Sequence, residues 1–303
     1  MTHRHFLTLT DLSADELKRL LRRAAELKAI SKRGERHEPL RSKTLALIFE
    51  KSSTRTRVSF EAGIMQLGGH SIFLSPRDTH LGRGEPIEDT ARVLSRMVDA
   101  IVVRSHAHAT LEVFAANASV PVINALSDMF HPCQLLADIQ TFQEQRGDIE
   151  GRTAAWIGDG NNVCHSWINA AGLLNFHLRI ATPKGYEPKA SVLGAFSSQV
   201  TLGHDPKAAV RNVDVVITDT WASMGQEQEK AKRERDFSDF LVDEVLMGEA
   251  KPDAVFMHCL PAYRGHEVTA EVIDGPQSVV WAEAENRLHS QKALLEFLFG
   301  TRS

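Results

Sequence analysis

The sequence predicts an α/β protein of two domains, each a mainly parallel sheet flanked by helices. Short β-rich apolar runs alternate with stretches of helical periodicity along almost the whole chain, and a polar turn follows nearly every strand-like run. The 303 residues also exceed what one ordinary core fills, leaving room for two domains of about 150 residues each.

An amphipathic helix opens the chain at Ala14 and runs to about Ser31. Strands follow at Thr44–Phe49, His70–Leu74, Ala100–Val103 and Val120–Asn124, each leading through a polar turn into a helical pattern, among them Val58–Leu67 and Leu111–Asn117. His131-Pro132 opens a further helix through Leu135, Leu136, Ile139 and Phe142, with proline in the first turn, where its missing N–H costs nothing. The polar turn from Arg146 to Gly151 carries two glycines and follows a helix, which marks it as the crossing between domains, 1–146 and 147–283. A new βα series begins there, with buried parallel strands at Ala154–Ile157, His177–Ala181, Val213–Thr218 and Ala254–His258, and a helix at Val163–Asn175. A last helix, Ala284 to Phe299, has Leu288, Leu294, Leu295, Leu298 and Phe299 to bury, so it packs back across one domain.

A formal net charge of −4 gives no field for nucleic acid or anionic lipid, so an anion site has to be local. The N-terminus lacks the apolar core of a signal peptide and no stretch approaches a spanning helix, which predicts a cytoplasmic protein with no membrane partner. Three cysteines at long spacings argue against a disulfide framework, and the fourteen histidines are scattered without metal-ligand spacing. No metal and no cofactor is expected.

Ligands of open parallel sheets sit beyond the carboxyl ends of strands, and the polar clusters fall there. Ser53-Thr54-Arg55-Thr56-Arg57 stands between a strand and a helix and reads as an anion cradle: backbone N–H groups, the positive end of the helix dipole, hydroxyl donors and a guanidinium. Arg55 and Arg57 point to different sides of a helix, and Arg55 is assigned to the ligand. Arg104 follows a strand and His131-Pro-Cys-Gln134 begins a helix; with Thr56 they suit the carbonyl of a carbonyl phosphate, and Gln134 suits an amide. Taken singly, Arg104 fits a solvated surface and His131 a helix cap, so the weight rests on their joint placement.

Gly158-Asp-Gly-Asn-Asn162 has Val163 where a dinucleotide-binding loop has its third glycine, so Asn162 is either an N-cap or a contact for a polar substrate group. Asp219 begins a loop, Asp-Thr-Trp-Ala-Ser223-Met224-Gly225, suited to an amine substrate. His258-Cys259-Leu260-Pro261 ends the last strand and offers Cys259 as a polar substrate contact, while Cys133 and Cys164 read as buried filler. Two domains, each with its own ligand groups, favour transfer between two bound molecules.

With these motifs in order, the sequence resembles the ornithine branch of the aspartate/ornithine carbamoyltransferases over nearly its whole length. The resemblance implies a carbamoyl phosphate site of Ser53, Thr54, Arg55, Thr56, His80, Arg104, His131, Gln134, Cys259, Leu260 and Arg287, with Arg55, Arg104, His131 and Cys259 catalytic. It implies an ornithine site of Asn162, Asp219, Ser223 and Met224. It further implies a terminal helix (284–303) completing the first domain, homotrimers or assemblies of trimers in which the loop bearing His80 reaches a neighbour, and a cis Leu260–Pro261 bond. The implied reaction converts carbamoyl phosphate and L-ornithine to L-citrulline and phosphate, in arginine biosynthesis or the reverse direction. Its rivals are a carbamoyltransferase for acetylornithine, putrescine or lysine, and a non-catalytic sensor of a phosphorylated metabolite. The segment Lys189 to His204 is short for the family and leaves its local helix undetermined.

Overall fold

The structure is a computed structural model and describes residues 3–75, 84–222 and 229–300. The chain forms two compact units, one of Met1–Gln140 with Glu285–Ser303, the other of Thr141–Ala284. The sequence reading places the crossing at 146–151; by contacts the division falls earlier, inside a helix.

Unit 1 opens with α1 (Ala14–Lys32), whose first turn is closed by a reciprocal pair: Ser13 Oγ accepts from the Glu16 N–H at 3.2 Å, and the Glu16 carboxylate accepts from the Ser13 N–H at 2.9 Å. The alternation continues through β1 (Thr44–Phe49), α2 (Thr54–Gln66), β2 (His70–Leu74), α3 (Ile87–Leu94), β3 (Ala100–Arg104), α4 (His108–Asn117), β4 (Val122–Leu126) and α5 (Pro132–Arg146). The strands form one parallel sheet in the order β2-β1-β3-β4. Ala46, Ile48, Ile101 and Val103 of its central strands pack against Leu111 and Phe114 of α4.

Unit 2 continues with β5 (Thr153–Ile157), α6 (Asn162–Leu174), β6 (His177–Ala181), α7 (Ala190–Ala195), β7 (Val200–Gly203), α8 (Pro206–Val210), β8 (Val215–Thr218), α9 (Lys230–Asp236), α10 (Glu244–Met247), β9 (Val255–His258) and α11 (Ala270–Ile273). Its five strands are parallel in the order β7-β6-β5-β8-β9. The last helix, α12 (Val280–Phe299), returns the chain to unit 1, where Lys28 Nζ donates to Asn286 Oδ1 at 2.7 Å and Arg23 Nε to Glu296 Oε2 at 2.7 Å.

Most expected elements stand within two residues of their predicted bounds, and the differences have local causes. Arg104 is the last residue of β3 instead of lying beyond it, because its pairing with Phe49 prolongs the ladder. Helix α2 starts at Thr54, four residues before the apolar pattern, because the Ser53 side chain caps it. Strand β4 runs 122–126, shifted because Pro121 has no N–H to give the ladder. Within 189–204 the chain forms α7 and the edge strand β7, whose exposed Thr201 and Leu202 lack the apolar run that marks a buried strand. Leu260–Pro261 is cis, as expected.

The strand orders fix where ligands can bind. In each sheet the order reverses about one strand pair, β1/β3 in unit 1 and β5/β8 in unit 2, and loops diverging from such a pair leave a crevice at its carboxyl end. Ser53 and Arg104 end the first pair; Gly158–Asn162 and Asp219 end the second.

Candidate active site

The crevice of unit 1 is lined by donors. Ser53 is the N-cap of α2: its Oγ accepts from the Thr56 N–H at 3.4 Å and stands 3.0 Å from Thr56 Oγ1. Glu50, just past β1, accepts from Ser105 Oγ at 2.7 Å and the His106 N–H at 2.9 Å, which ties the ends of the switch-point strands together. From α12, Arg287 donates through Nη2 to Thr56 Oγ1 at 2.7 Å and through Nη1 to Gln134 Oε1. The Gln134 amide is turned by Asp138, one helical turn along α5, which accepts from its Nε2 at 2.8 Å. Thr56, Arg104, His131, Gln134, Asp138 and Arg287 are all buried, Arg55 and Ser53 are half-buried, and Thr54 is exposed.

His131 lies within the field of this cluster. Burial first, then the guanidiniums of Arg287, Arg104 and Arg55, hold its imidazole well below the usual histidine range, so it is neutral at physiological pH. Positions 55, 104, 131 and 287 are therefore one electrostatic unit, while Arg57 leaves it: its guanidinium sits 3.7 Å from the centre of the Phe73 ring and its Nε donates to Glu61 at 3.0 Å. Cys133 faces inward, donating to the Asn124 carbonyl at 3.3 Å, and burial pushes its thiol up to about 12.

The crevice of unit 2 has the opposite sign. Asp219 follows β8; its Oδ2 accepts from Asn161 Nδ2 at 2.8 Å and its Oδ1 from the Thr220 N–H at 2.7 Å and from Cys259 Sγ at 3.2 Å. The turn 158–161 fits only with its glycines: Gly158 has φ +128°, and a Cβ at Gly160 would lie 2.3 Å from the Pro188 nitrogen. The N-cap of α6 is Asn161, which accepts from the Val163 and Cys164 N–H groups, so the capping alternative raised for Asn162 falls one residue early. Asn162 is the first residue of the helix. Behind this turn Arg233 donates to Asp159 Oδ2 at 2.9 Å and to the Trp221 carbonyl at 2.8 Å, yet burial outweighs this partner and raises the Asp159 carboxyl to about 6.

Among the described residues, Asp219, His258 and Cys259 form a group whose ligand atoms lie within 4.8 Å of one another, a donor set that suits a metal ion. Its atoms are engaged already. His258 Nδ1 accepts from the Leu260 N–H at 2.9 Å, His258 Nε2 lies 3.2 Å from Glu267 Oε1, and the thiol donates to Asp219. No described helix is long and apolar enough to cross a membrane.

Residues 4–144 match the family described as aspartate/ornithine carbamoyltransferase, carbamoyl-P binding domain, and residues 150–298 match its Asp/Orn binding domain. The chain belongs to the aspartate/ornithine carbamoyltransferase family. Among the relatives it is most similar to are the ornithine carbamoyltransferases of Methylococcus capsulatus, 64% identical over 98% of this chain and 99% of the relative, and of Nitrosococcus oceani, 63% identical over 98% of each. Among solved structures, the ornithine carbamoyltransferase from Pyrococcus furiosus superposes with a TM-score of 0.95 at 50% identity, covering 100% of this chain and 99% of that one.

The structure thus brings Ser53, Arg55, Thr56, Arg104, His131, Gln134 and Arg287 together in unit 1, and Asn161, Asp219 and Cys259 together in unit 2. His80, Ser223 and Met224 lie outside the described residues. Sequence reasoning missed Asp138, Asn161 and Glu267. A Gln-x-x-x-Asp spacing is a visible helix pair, and the first Asn of Asn161-Asn162 was an equally good cap. No motif flags Glu267, whose Oε1 accepts from the Tyr263 N–H at 2.6 Å and lies 3.2 Å from His258 Nε2 within an irregular loop.

Proposed function

We propose that this chain transfers the carbamoyl group of carbamoyl phosphate to the δ-amine of L-ornithine, giving L-citrulline and phosphate. The observation that carries the reading is the gathering of Arg55, Arg104 and Arg287 about a neutral His131 at the capped start of α2, in a chain of this family.

Unit 1 holds the donor. The first-turn N–H groups of α2, with Ser53, Thr54 and Arg55, take the phosphate, whose charge they neutralise as it leaves. Arg104, Thr56 and His131 donate to the carbamoyl oxygen as it becomes anionic; a neutral imidazole donates without carrying a charge that the surrounding arginines would oppose. Gln134, its amide set by Asp138 and Arg287, takes the carbamoyl amide. Unit 2 holds the acceptor. Asp219, with Asn162, Ser223 and Met224, receives the amino-acid end, and Cys259 and Leu260 contact substrate. An alkylamine of ordinary pKa near 10.4 has to lose its proton before it attacks, which neighbouring arginines favour. His80 is assigned to the carbamoyl phosphate site of a neighbouring subunit. A cytoplasmic homotrimer is part of the same reading, supported by large apolar side chains left exposed on α2 and β2, Val58, Met65 and Ile72.

Steady-state product formation with a panel of amines tests the reaction. Citrulline from ornithine, with acetylornithine, putrescine, lysine and aspartate giving little product, supports it; equal use of another amine, or binding of carbamoyl phosphate without turnover, rejects it. Light scattering tests the trimer.

A further inference from the structure

We propose that the buried pair His258–Glu267 is a positioning device that sets the Cys259–Leu260 corner, with His258 acting as a fixed neutral imidazole and taking no part in proton transfer. This role rests on the reading of Cys259 and Leu260 as substrate contacts.

His258 is the last residue of β9, and both it and Glu267 are 1% exposed. Because Nδ1 accepts the Leu260 N–H at 2.9 Å, it carries no proton; the ring proton of the neutral imidazole is on Nε2, which donates to Glu267 Oε1 at 3.2 Å. The same Glu267 oxygen accepts the Tyr263 N–H at 2.6 Å, and the His258 N–H is held by Glu283 Oε2 at 3.0 Å. One carboxylate therefore grips the segment 259–263 at both ends, directly at Tyr263 and through the imidazole at Leu260.

What this grip holds is an unusual backbone. Leu260 has φ +57°, the left-handed region that branched residues seldom enter, and such a conformation persists where its surroundings determine it. The Leu260 N–H bond to His258 Nδ1 is a determinant of that kind. Cys259 lies inside the corner, with its Sγ against Asp219 Oδ1 at 3.2 Å, so a different turn at Leu260 would swing the thiol off the carboxylate.

Three variants and one spectrum decide. His258→Leu removes the acceptor and is expected to lower kcat about 100-fold, the cost of an ångström-scale misplacement, with KM for ornithine changed less than about threefold. His258→Asn places an amide oxygen where Nδ1 stood and is expected to recover kcat to within about tenfold of the parent. Glu267→Gln still accepts from both donors and is expected to cost about threefold, since a neutral imidazole has no charge to lose. A long-range 1H–15N spectrum of the intact protein is expected to show His258 with a bare Nδ1 and a protonated Nε2. Equal losses in the Asn and Leu variants, or a doubly protonated His258, would overturn the role. Should His258→Leu not fold, the Asn and Gln variants and the parent spectrum still decide. If the parent makes no citrulline, the reaction assigned above fails, whereas the spectrum tests the hydrogen-bonded pair independently.

Discussion

The two crevices are built on the same plan and to opposite electrostatic ends. Both lie where a parallel sheet reverses its strand order, and both follow a capped helix start, Ser53 before α2 and Asn161 before α6. In unit 1 the cap is followed by an arginine, and guanidiniums from β3 and α12 join it around a neutral histidine. In unit 2 the focus is a single carboxylate, Asp219, held by an amide, a backbone N–H and a thiol. A shared fold thus supplies location, and the residues at the strand ends supply sign: one crevice for an anion, one for an ammonium.

Substitutions break this comparison most directly at the anion side. Arg55→Gln keeps the helix start but removes the charge proposed to meet the leaving phosphate, and kcat is expected to fall about 10³-fold in a citrulline assay, with the far-ultraviolet spectrum unchanged. A loss under tenfold would move the phosphate elsewhere. On the cation side, Asp219→Asn is expected to reduce kcat/KM for ornithine about 10²-fold, since bonds to charged groups are worth about 1.5–3 kcal/mol, while carbamoyl phosphate affinity is unchanged. Loss of donor affinity instead would erase the distinction between the two crevices. Asp138→Leu removes the acceptor that turns the Gln134 amide and is expected to cost about fivefold in kcat/KM for carbamoyl phosphate, the size of one hydrogen bond of roughly 1 kcal/mol.

The smallest effect is on stability. The folded state holds His131 well below its ordinary value of 6.5, so below that pH the unfolded chain binds a proton that the native state refuses. The stability this group contributes is present above 6.5 and is lost as pH falls below it, by at most about 1.4 kcal/mol per pH unit. Urea melts at several pH values are expected to show a shallower acid decline for His131→Gln than for the parent. An unchanged slope would place a charged histidine in the cluster.

How much of this was legible in the sequence depended on whether the controlling contact was local. The strands were legible because parallel strands buried on both faces are continuous apolar runs, and β7 was missed because an edge strand need not be. The capped helix start at 53–56 was legible because the capping serine and the first-turn residues sit side by side in the sequence. Arg287 was visible only through resemblance, since it reaches Thr56 across 231 positions of sequence. Asn161 and Asn162 could not be ranked, because which of two asparagines caps a helix is settled by the turn ahead of it. Locality alone does not suffice: Asp138 meets Gln134 across one helical turn without either residue standing out by type, and Glu267 meets Tyr263 and His258 in an irregular loop that carries no periodic pattern.

The most direct test of the central claim, that the arginines around His131 form the donor site, is calorimetric titration of carbamoyl phosphate into the parent and the Arg55→Gln variant. The parent is expected to bind, and the variant to bind about 10²-fold more weakly, with the parent's affinity falling as salt is added. Equal affinities in the two proteins, insensitive to salt, would contradict it.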